Sequence, residues 1–356
     1  AVTGSAGKTT VKTLLGNLLN QYSKTFFSPK SYNNHYGVPI SLCNLEQNHR
    51  FAVLEVGMSK KGEINKLSKL INPHVGIITN VAEAHIKNFK NLKGIAKAKI
   101  EILNNIKKGG SIILNRDDKF FNYFSNLSKN KNINVISFGL SKKSNVYLIS
   151  TKKLEKSKIL KIKVIDEVIE LKINNINILN VLCLLAVLKI MNLDLKHSIK
   201  YFSSLRPLEG RGKKHIIKRY KTRFNLIDES YNANPLSVSK AINNMSKIKK
   251  KNFNKYLLLG DMLELGEKSS KYHKKLSKVI NKADIDKVFI YGDKILNAYR
   301  YIKKNKQGNI LQFIDDFDQV FSKIIKKNDF LMIKGSNGTG LNKLSQSLIK
   351  GSVNVI

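Results

Sequence analysis

The sequence predicts an α/β fold built in two units, on three observations. Apolar, strand-like runs alternate with helical stretches along the whole chain, which argues for helices layered on parallel sheets. A glycine-rich turn, Thr3-Gly4-Ser5-Ala6-Gly7-Lys8-Thr9-Thr10, joins a short strand end at Ala1–Val2 to a helix from about Lys8. In the second half, five strand candidates recur with helical segments between them, as in an open Rossmann-like sheet. The expectation is a central P-loop-type mononucleotide-binding domain with a parallel sheet over residues 1–205. A linker follows over 206–213, then a C-terminal Rossmann-like α/β domain over 214–356.

Each element has its own warrant. Phe51 to Val56 and His74 to Val81 read as buried strands, as do Ser111 to Asn115 and Val135 to Phe138. Between Tyr147 and Ile173 apolar and polar residues alternate, the period of antiparallel hairpins on a sheet edge. Ile176 to Ile190 reads as a helix. Its apolar stretch Val181 to Leu188 falls well short of the roughly 20 residues that span a membrane, so it reads as buried. The connector Leu205–Arg211 carries Pro207 and Gly210 and reads as a hinge. Beyond it the strand candidates are Phe224–Asp228, Lys255–Gly260, Lys287–Tyr291, Ile310–Ile314 and Phe330–Ile333.

Composition narrows the function classes. The chain has 356 residues, 42% of them hydrophobic, enough for ordinary cores. The net charge of +39 invites a nucleic-acid reading. Yet only seven of the 64 basic residues are Arg, and Arg supplies the forked donors on which sequence readers lean. Lysine is spread everywhere beside Asn and Ile, so a solvated Lys-rich surface is expected, with no specific nucleic-acid site. Cys43 and Cys183 are far apart and flanked by apolar residues, which argues against a disulfide framework or zinc site and for a reducing cytoplasm. The chain starts at Ala1, not Met, and shows no charged-then-apolar leader ahead of the glycine-rich turn.

Several residues carry chemistry. In the turn, backbone N–H groups of Gly4, Ser5, Ala6, Gly7, Lys8, Thr9 and Thr10 would bind phosphate oxygens, helped by the helix N-terminus. Lys8 would reach the β- and γ-phosphates, and the Thr9 hydroxyl would meet Mg²⁺. The plainer reading is a strand–helix turn followed by a chance lysine. Glu55 ends one buried strand and His85 follows another, at the sheet edge where ligands collect. Each alone reads as a strand-end polar residue. Together with the loop they suggest a metal–nucleotide site, although a His ligand is unusual for Mg²⁺. Composition does not separate Lys99 from Lys97; both read as solvated charges.

Taken in order, the glycine-rich loop, Glu55, the Asn80…His85 spacing and Ala98-Lys99 resemble the Mur ligase family. The resemblance implies that Glu55 and His85 help bind magnesium. It also implies that Lys99 is carbamylated and orients a second Mg²⁺. Asn33-Asn34-His35-Tyr36-Gly37-Val38-Pro39 is similar to a segment of the D-alanyl-D-alanine-adding member of that family. So are Asp228-Glu229-Ser230-Tyr231-Asn232-Ala233-Asn234-Pro235 and Gly260-Asp261-Met262-Leu263-Glu264-Leu265-Gly266, with His273 following. Arg211 matches a linker Arg that approaches the γ-phosphate. Asp228, Glu229, Tyr231 and Asn232 are implied in nucleotide binding, as are Asn177 and Asn180. The family's Gly-x-His-Asn-x-x-Asn segment survives here only in those two Asn residues. Its Arg after Lys334-Gly335-Ser336 is absent, and Lys87 and Lys90 stand where an acidic residue and a Gly are usual. The family's N-terminal UDP-sugar domain has no counterpart in this sequence, so the chain reads as a fragment.

The resemblance implies an ATP-dependent amide ligase working with two Mg²⁺ ions. The carboxylate of UDP-N-acetylmuramoyl-tripeptide would attack the γ-phosphate, and D-alanyl-D-alanine would displace phosphate from the acyl phosphate. Lys8, Lys99, His85 and Arg211 are then the catalytic candidates. A monomer in the bacterial cytoplasm, without a membrane span, is expected. Alternatives are another Mur ligase, a folylpolyglutamate synthase-like ligase, or a non-catalytic basic P-loop protein.

Overall fold

The structure, a computed structural model, describes residues 1–84, 86–89, 91–155, 157–249 and 252–351. It divides into two compact units. One comprises Ala1–Ala82 and Asn88–Arg206, the other Glu83–Lys87 and Pro207–Ile356.

In the first unit the strands are β1 (Val2–Thr3), β2 (Thr25–Phe27), β3 (Phe51–Val53), β4 (Val75–Ile78), β5 (Ser111–Asn115), β6 (Asn134–Gly139), β7 (Val146–Lys153), β8 (Lys158–Val164) and β9 (Glu167–Ile173). Seven of them form one sheet in the order β1-β4-β5-β6-β7-β8-β9. It is parallel from β1 to β7 and antiparallel from β7 to β9. The expected hairpins are therefore present. Their alternation is literal: Leu160, Ile162 and Val164 face the core from β8, and Ile169, Leu171 and Ile173 from β9. The intervening positions meet water, as an antiparallel edge allows. The strand expected over Phe51–Val56 is split. Its first half pairs in parallel with β2, and Glu55 forms an isolated bridge with Val2. Three-residue β2 carries too little pattern to be seen beforehand.

The helix Ile178–Ile190 is capped by Asn177, whose side chain accepts from Leu179 N. Every residue from Val181 to Leu188 is buried. A helix apolar on all sides must be covered on all sides, and this one lies within the unit's main core. Among the described residues no helix is long and apolar enough to cross a membrane.

The second unit holds β10 (Lys213–Arg219), β11 (Thr222–Asp228), β12 (Lys255–Gly260), β13 (Lys287–Tyr291), β14 (Gln307–Leu311) and β15 (Phe330–Lys334). Their order is β10-β11-β15-β12-β13-β14, parallel except for the antiparallel edge strand β10. Sequence reading missed β10 because only Ile217 of it is buried and four of its seven residues are Lys or Arg. Such a charged edge resists pairing with other chains. The outermost strand lies three residues earlier than expected. Ile310 and Phe313 are 48% and 68% exposed, and Leu311 is the residue of this strand that enters the core.

The buried helix offers a test of this packing. Leu184→Ala empties a fully buried position and is expected to cost about 2–5 kcal/mol. Val168→Ala, on the open face of β9, should cost less than about 0.5 kcal/mol. Urea unfolding of the two variants measures both.

Candidate active site

The glycine-rich loop lies between the ends of β1 and β4. Gly4 has φ +146°, and a Cβ there would sit 1.9 Å from Thr79 Oγ1. Only glycine fits a backbone this close and this turned. The end of β4 then shapes the loop. Ser5 N donates to Asn80 O (3.0 Å), and Ala6 N donates to Asn80 Oδ1 (3.0 Å). Thr79 Oγ1 and Asn80 Nδ2 both donate to Ala6 O (2.7 and 2.9 Å). Ser5 Oγ donates to Ala82 O and accepts from Ala82 N, each at 2.9 Å.

Gly7 (φ +87°) is the N-cap of the helix Lys8–Leu19, and glycine has no side chain with which to satisfy the first-turn amides. An anion is their natural partner. Thr10 lies in that first turn. Lys8 Nζ rests on Gly4 O at 3.0 Å. Thr9 Oγ1 is 3.1 Å from Ser31 Oγ. Asn180 comes beside the loop: a Cβ on Gly7 would lie 3.9 Å from its Oδ1. Asn177 is exposed and occupied as the cap of its helix.

Glu55 is 1% exposed. Val2 N donates to Leu54 O and Val56 N to Val2 O, so the residue is pinned beside β1. Its Oε1 accepts from Asn33 Nδ2 at 2.6 Å. Its Oε2 is buried with no hydrogen-bond partner among the described residues. A buried carboxylate oxygen left bare is costly unless something cationic meets it.

Lys99 ends the helix Leu92–Lys99 and is 4% exposed, whereas Lys97 points to solvent. The separation of the two follows from their ~200° offset on a helix. Burial, and then the positive charge of Lys8, hold the Lys99 amine well below the usual lysine range. Among the described residues its nitrogen has no hydrogen bond or ion pair. The loop, Glu55 and Lys99 thus belong to one unit, and Lys99 is electrostatically coupled to Lys8. A buried bare carboxylate oxygen and a hydroxyl are hard oxygen donors of the kind a divalent cation takes. His85 lies outside the described residues, as does Lys90.

In the second unit the motifs collect at the C-terminal ends of the adjacent strands β11, β15 and β12. Asp228 is fully buried. Its Oδ2 accepts from Gly210 N (2.8 Å), its Oδ1 from Ser230 Oγ (2.6 Å), and its carbonyl from Gly212 N (2.7 Å). It ties the connector to the strand end. The Arg211 guanidinium lies 4.1 Å over the Tyr231 ring. Lys334, 2% exposed, donates to Glu229 O and Oε2 and to Asn232 O at 3.0–3.3 Å. Ser336 Oγ accepts from Leu263 N (2.9 Å) and donates to Ala233 O (3.3 Å). Lys334 and Ser336 therefore clasp both signature segments, a role the sequence reading did not give them. Their position at the end of a strand was the available signal.

Glu209, His215 and Asp228 bring donor atoms within 4.8 Å of one another. Glu209 is already paired with Lys213 and His215, and Asp228 with backbone and Ser230. Those bonds account for the cluster without an ion.

A strand–loop–helix phosphate cradle over a parallel sheet defines the first unit as a nucleotide-binding domain. Residues 2–190 match the Mur ligase middle domain, and residues 215–337 match the Mur ligase, glutamate ligase domain. The chain is 31% identical to the UDP-N-acetylmuramoyl-tripeptide--D-alanyl-D-alanine ligase of Rickettsia prowazekii, over 97% of this chain and 76% of that one. Its fold is similar to that of MurF from Acinetobacter baumannii, with a TM-score of 0.86 and 26% identity over 98% of this chain and 76% of that one. It is also similar to MurF ligase from Thermotoga maritima in complex with ADP (TM-score 0.83, 26% identity, 98% and 78% covered). The chain belongs to the Mur ligase family.

His273 gives a pH test of the second unit. It is fully buried; its Nε2 accepts from Met262 N (3.0 Å), and its Nδ1 donates to Ser269 O (2.8 Å). The Met262 bond requires the neutral ring, because a protonated Nε2 cannot accept, and burial lowers its pKa from 6.5 against the opposing bond to Ser269 O. The unfolded chain therefore takes up this proton first as pH falls. The stabilisation is complete above pH 6.5 and is lost as pH drops through the depressed folded value. Denaturant unfolding from pH 8 to pH 5 should show that loss. His273→Gln should be less stable at pH 8 and have a shallower slope.

Proposed function

We propose that this chain carries the ATP-dependent chemistry of a ligase that joins D-alanyl-D-alanine to UDP-N-acetylmuramoyl-tripeptide, in the bacterial cytoplasm. The observation that carries the reading is the phosphate loop with the bare Glu55 oxygen bridged beside its strand and the buried Lys99 amine in electrostatic reach of Lys8. The likeness to D-alanyl-D-alanine-adding relatives supplies the substrates.

In this reading the tripeptide carboxylate attacks the γ-phosphorus of ATP and ADP leaves. The neutral amine of D-alanyl-D-alanine then adds to the acyl carbon, and phosphate departs as the amide forms. Carboxylate and triphosphate repel each other, so cationic donors must face them both. Lys8 leaves the Gly4 carbonyl to donate to phosphoryl oxygens, and the amides of Gly4 to Thr10 cradle the chain of phosphates. Asn180, beside Gly7, and Asn177 face the nucleoside. Arg211, Asp228, Glu229, Tyr231 and Asn232 are assigned to the nucleotide on the family resemblance. Bound Mg²⁺ would neutralise the phosphates and polarise the transferred group, held by Thr9, Glu55, Lys99 and, on the resemblance, His85.

Lys99 needs a prior step to serve. Its neutral nitrogen attacks the carbon of CO₂, one C–O π bond opens, and the nitrogen gives a proton to water. A cation is thereby exchanged for a two-oxygen anion. The lowered pKa supplies the neutral amine that this requires.

Three measurements check the reading. Phosphate release should rise only when D-alanyl-D-alanine and the UDP-tripeptide are both present; release driven by a different amino acid would overturn the substrate assignment. In the full-length ligase, Lys8→Ala should slow turnover about a hundredfold or more with unfolding unchanged. ¹³C-bicarbonate should give a carbamate NMR signal that Lys99→Ala abolishes and Lys97→Ala keeps, and short carboxylic acids should partly restore Lys99→Ala turnover. Equal behaviour of the two lysine variants would return Lys99 to an ordinary buried lysine.

A further inference from the structure

Lys12 lies one helical turn beyond Lys8, on the same face as Leu15 and Leu19. It is 1% exposed. A lysine in that stripe is not there for packing, since leucine or methionine would fill the space without the cost of burying an ammonium. Its Nζ donates to the carbonyls of Ser28 and Lys30, the latter at 2.6 Å. Those two carbonyls open the segment that runs on to Ser31 and Asn33.

That segment touches two of the proposed metal ligands, Thr9 and Glu55. Ser31 Oγ meets Thr9 Oγ1 at 3.1 Å, and Asn33 Nδ2 donates to Glu55 Oε1 at 2.6 Å. Fully buried Ser28 also bears on Glu55: its Oγ accepts from Glu55 N (3.2 Å), and its N donates to Val53 O (3.1 Å). Asn33 is held further by Gly57 N, which donates to its carbonyl at 2.7 Å. A Cβ at Gly57 would fall 2.7 Å from Asn33 Oδ1, so the approach depends on glycine.

We propose that Lys12 is a positioning residue for the metal ligands: its ammonium fastens Ser28–Lys30 to the phosphate-loop helix, so that Ser31 and Asn33 hold Thr9 and Glu55 ready for a divalent cation. The inference rests on the reading of Thr9 and Glu55 as ligands given above. An ammonium suits the task because it offers several donors on a stem long enough to reach two carbonyls of a neighbouring segment. Partners that orient metal ligands typically change metal affinity 10–100-fold when removed.

The test is Mn²⁺ binding to the full chain in the presence of ADP, followed by electron paramagnetic resonance, with thermal unfolding recorded alongside. Lys12→Met keeps the stem and removes the donors; it should weaken Mn²⁺ binding about tenfold or more and leave metal-free ADP binding little changed. Asn33→Ala, at a half-exposed position, should weaken Mn²⁺ binding too. The double variant should lose less than the sum of the two single losses, because Asn33 reaches Glu55 through the segment that Lys12 fastens. If Lys12→Met does not fold, Lys12→Gln, which retains an N–H donor on a shorter stem, takes its place and should still lose affinity severalfold. Lowered thermal stability with unchanged Mn²⁺ binding, or strictly additive losses, would overturn the proposal and leave Lys12 a stabilising staple. Wild-type chain that binds ADP but no Mn²⁺ with it would overturn the ligand reading itself, and this inference with it.

Discussion

The phosphate loop has no shape of its own; it takes its shape from the end of the neighbouring strand. Parallel pairing of Val2 with Ile77 and Thr3 with Ile78 delivers Thr79 and Asn80 to the loop's underside. From there they bind Ser5 and Ala6 through backbone and side chain. Slipping the register by one residue would turn those side chains to the other face. Gly4 would then lose its contact with Thr79 and the loop its hydrogen bonds. The same strand end leads into Ala82, which pairs with Ser5. One pairing register therefore fixes the cradle, and the bridge from Val2 to Glu55 sets the carboxylate against the same strand. Nucleotide and metal readings both follow from where β1 sits between its neighbours.

This arrangement explains what was legible in the sequence. The loop, the strand over Ser111–Asn115, the alternating hairpins and the fully apolar helix were readable because each is local: a spacing, a period or a run. The family resemblance likewise rested on contiguous motifs. Three things were not readable. Edge strand β10 hides its pairing behind lysines, and β14 buries only Leu311. The burial of Lys99 depends on packing that no local pattern encodes, so composition did not separate it from Lys97 and only the family resemblance did. The clasp of Lys334 and Ser336 joins segments more than 70 residues apart in sequence. Lys12 is an intermediate case. Its place at i+4 from Lys8, within the stripe that continues through Leu15 and Leu19, was visible, but its two carbonyl partners were not.

The charge of the chain divides in the same way. Most of its lysines are solvated and carry the net charge of +39, which favours solubility and weak attraction to polyanions. Four lysines are buried among the described residues: Lys12, Lys99, Lys255 and Lys334. Three of them are staples. Lys12 holds Ser28 and Lys30, Lys255 holds Ser246 O and Asp284, and Lys334 holds Glu229 and Asn232. Each joins segments distant in sequence by collecting carbonyl or carboxylate oxygens, which is how a buried ammonium is tolerated.

Lys99 departs from that rule, and the departure is informative. It is as buried as the other three, yet it has collected no oxygens among the described residues. An ammonium left this way, near the like charge of Lys8, is the least favourable form of the residue. The neutral amine is better, and an anionic adduct is better still, because it would turn the repulsion from Lys8 into attraction. The staples show that this chain readily supplies carbonyls to buried lysines where a cation is wanted. Where it withholds them, beside a phosphate loop and a bare carboxylate oxygen, Lys99 is set apart from the staples, which is what the carbamate proposed above requires.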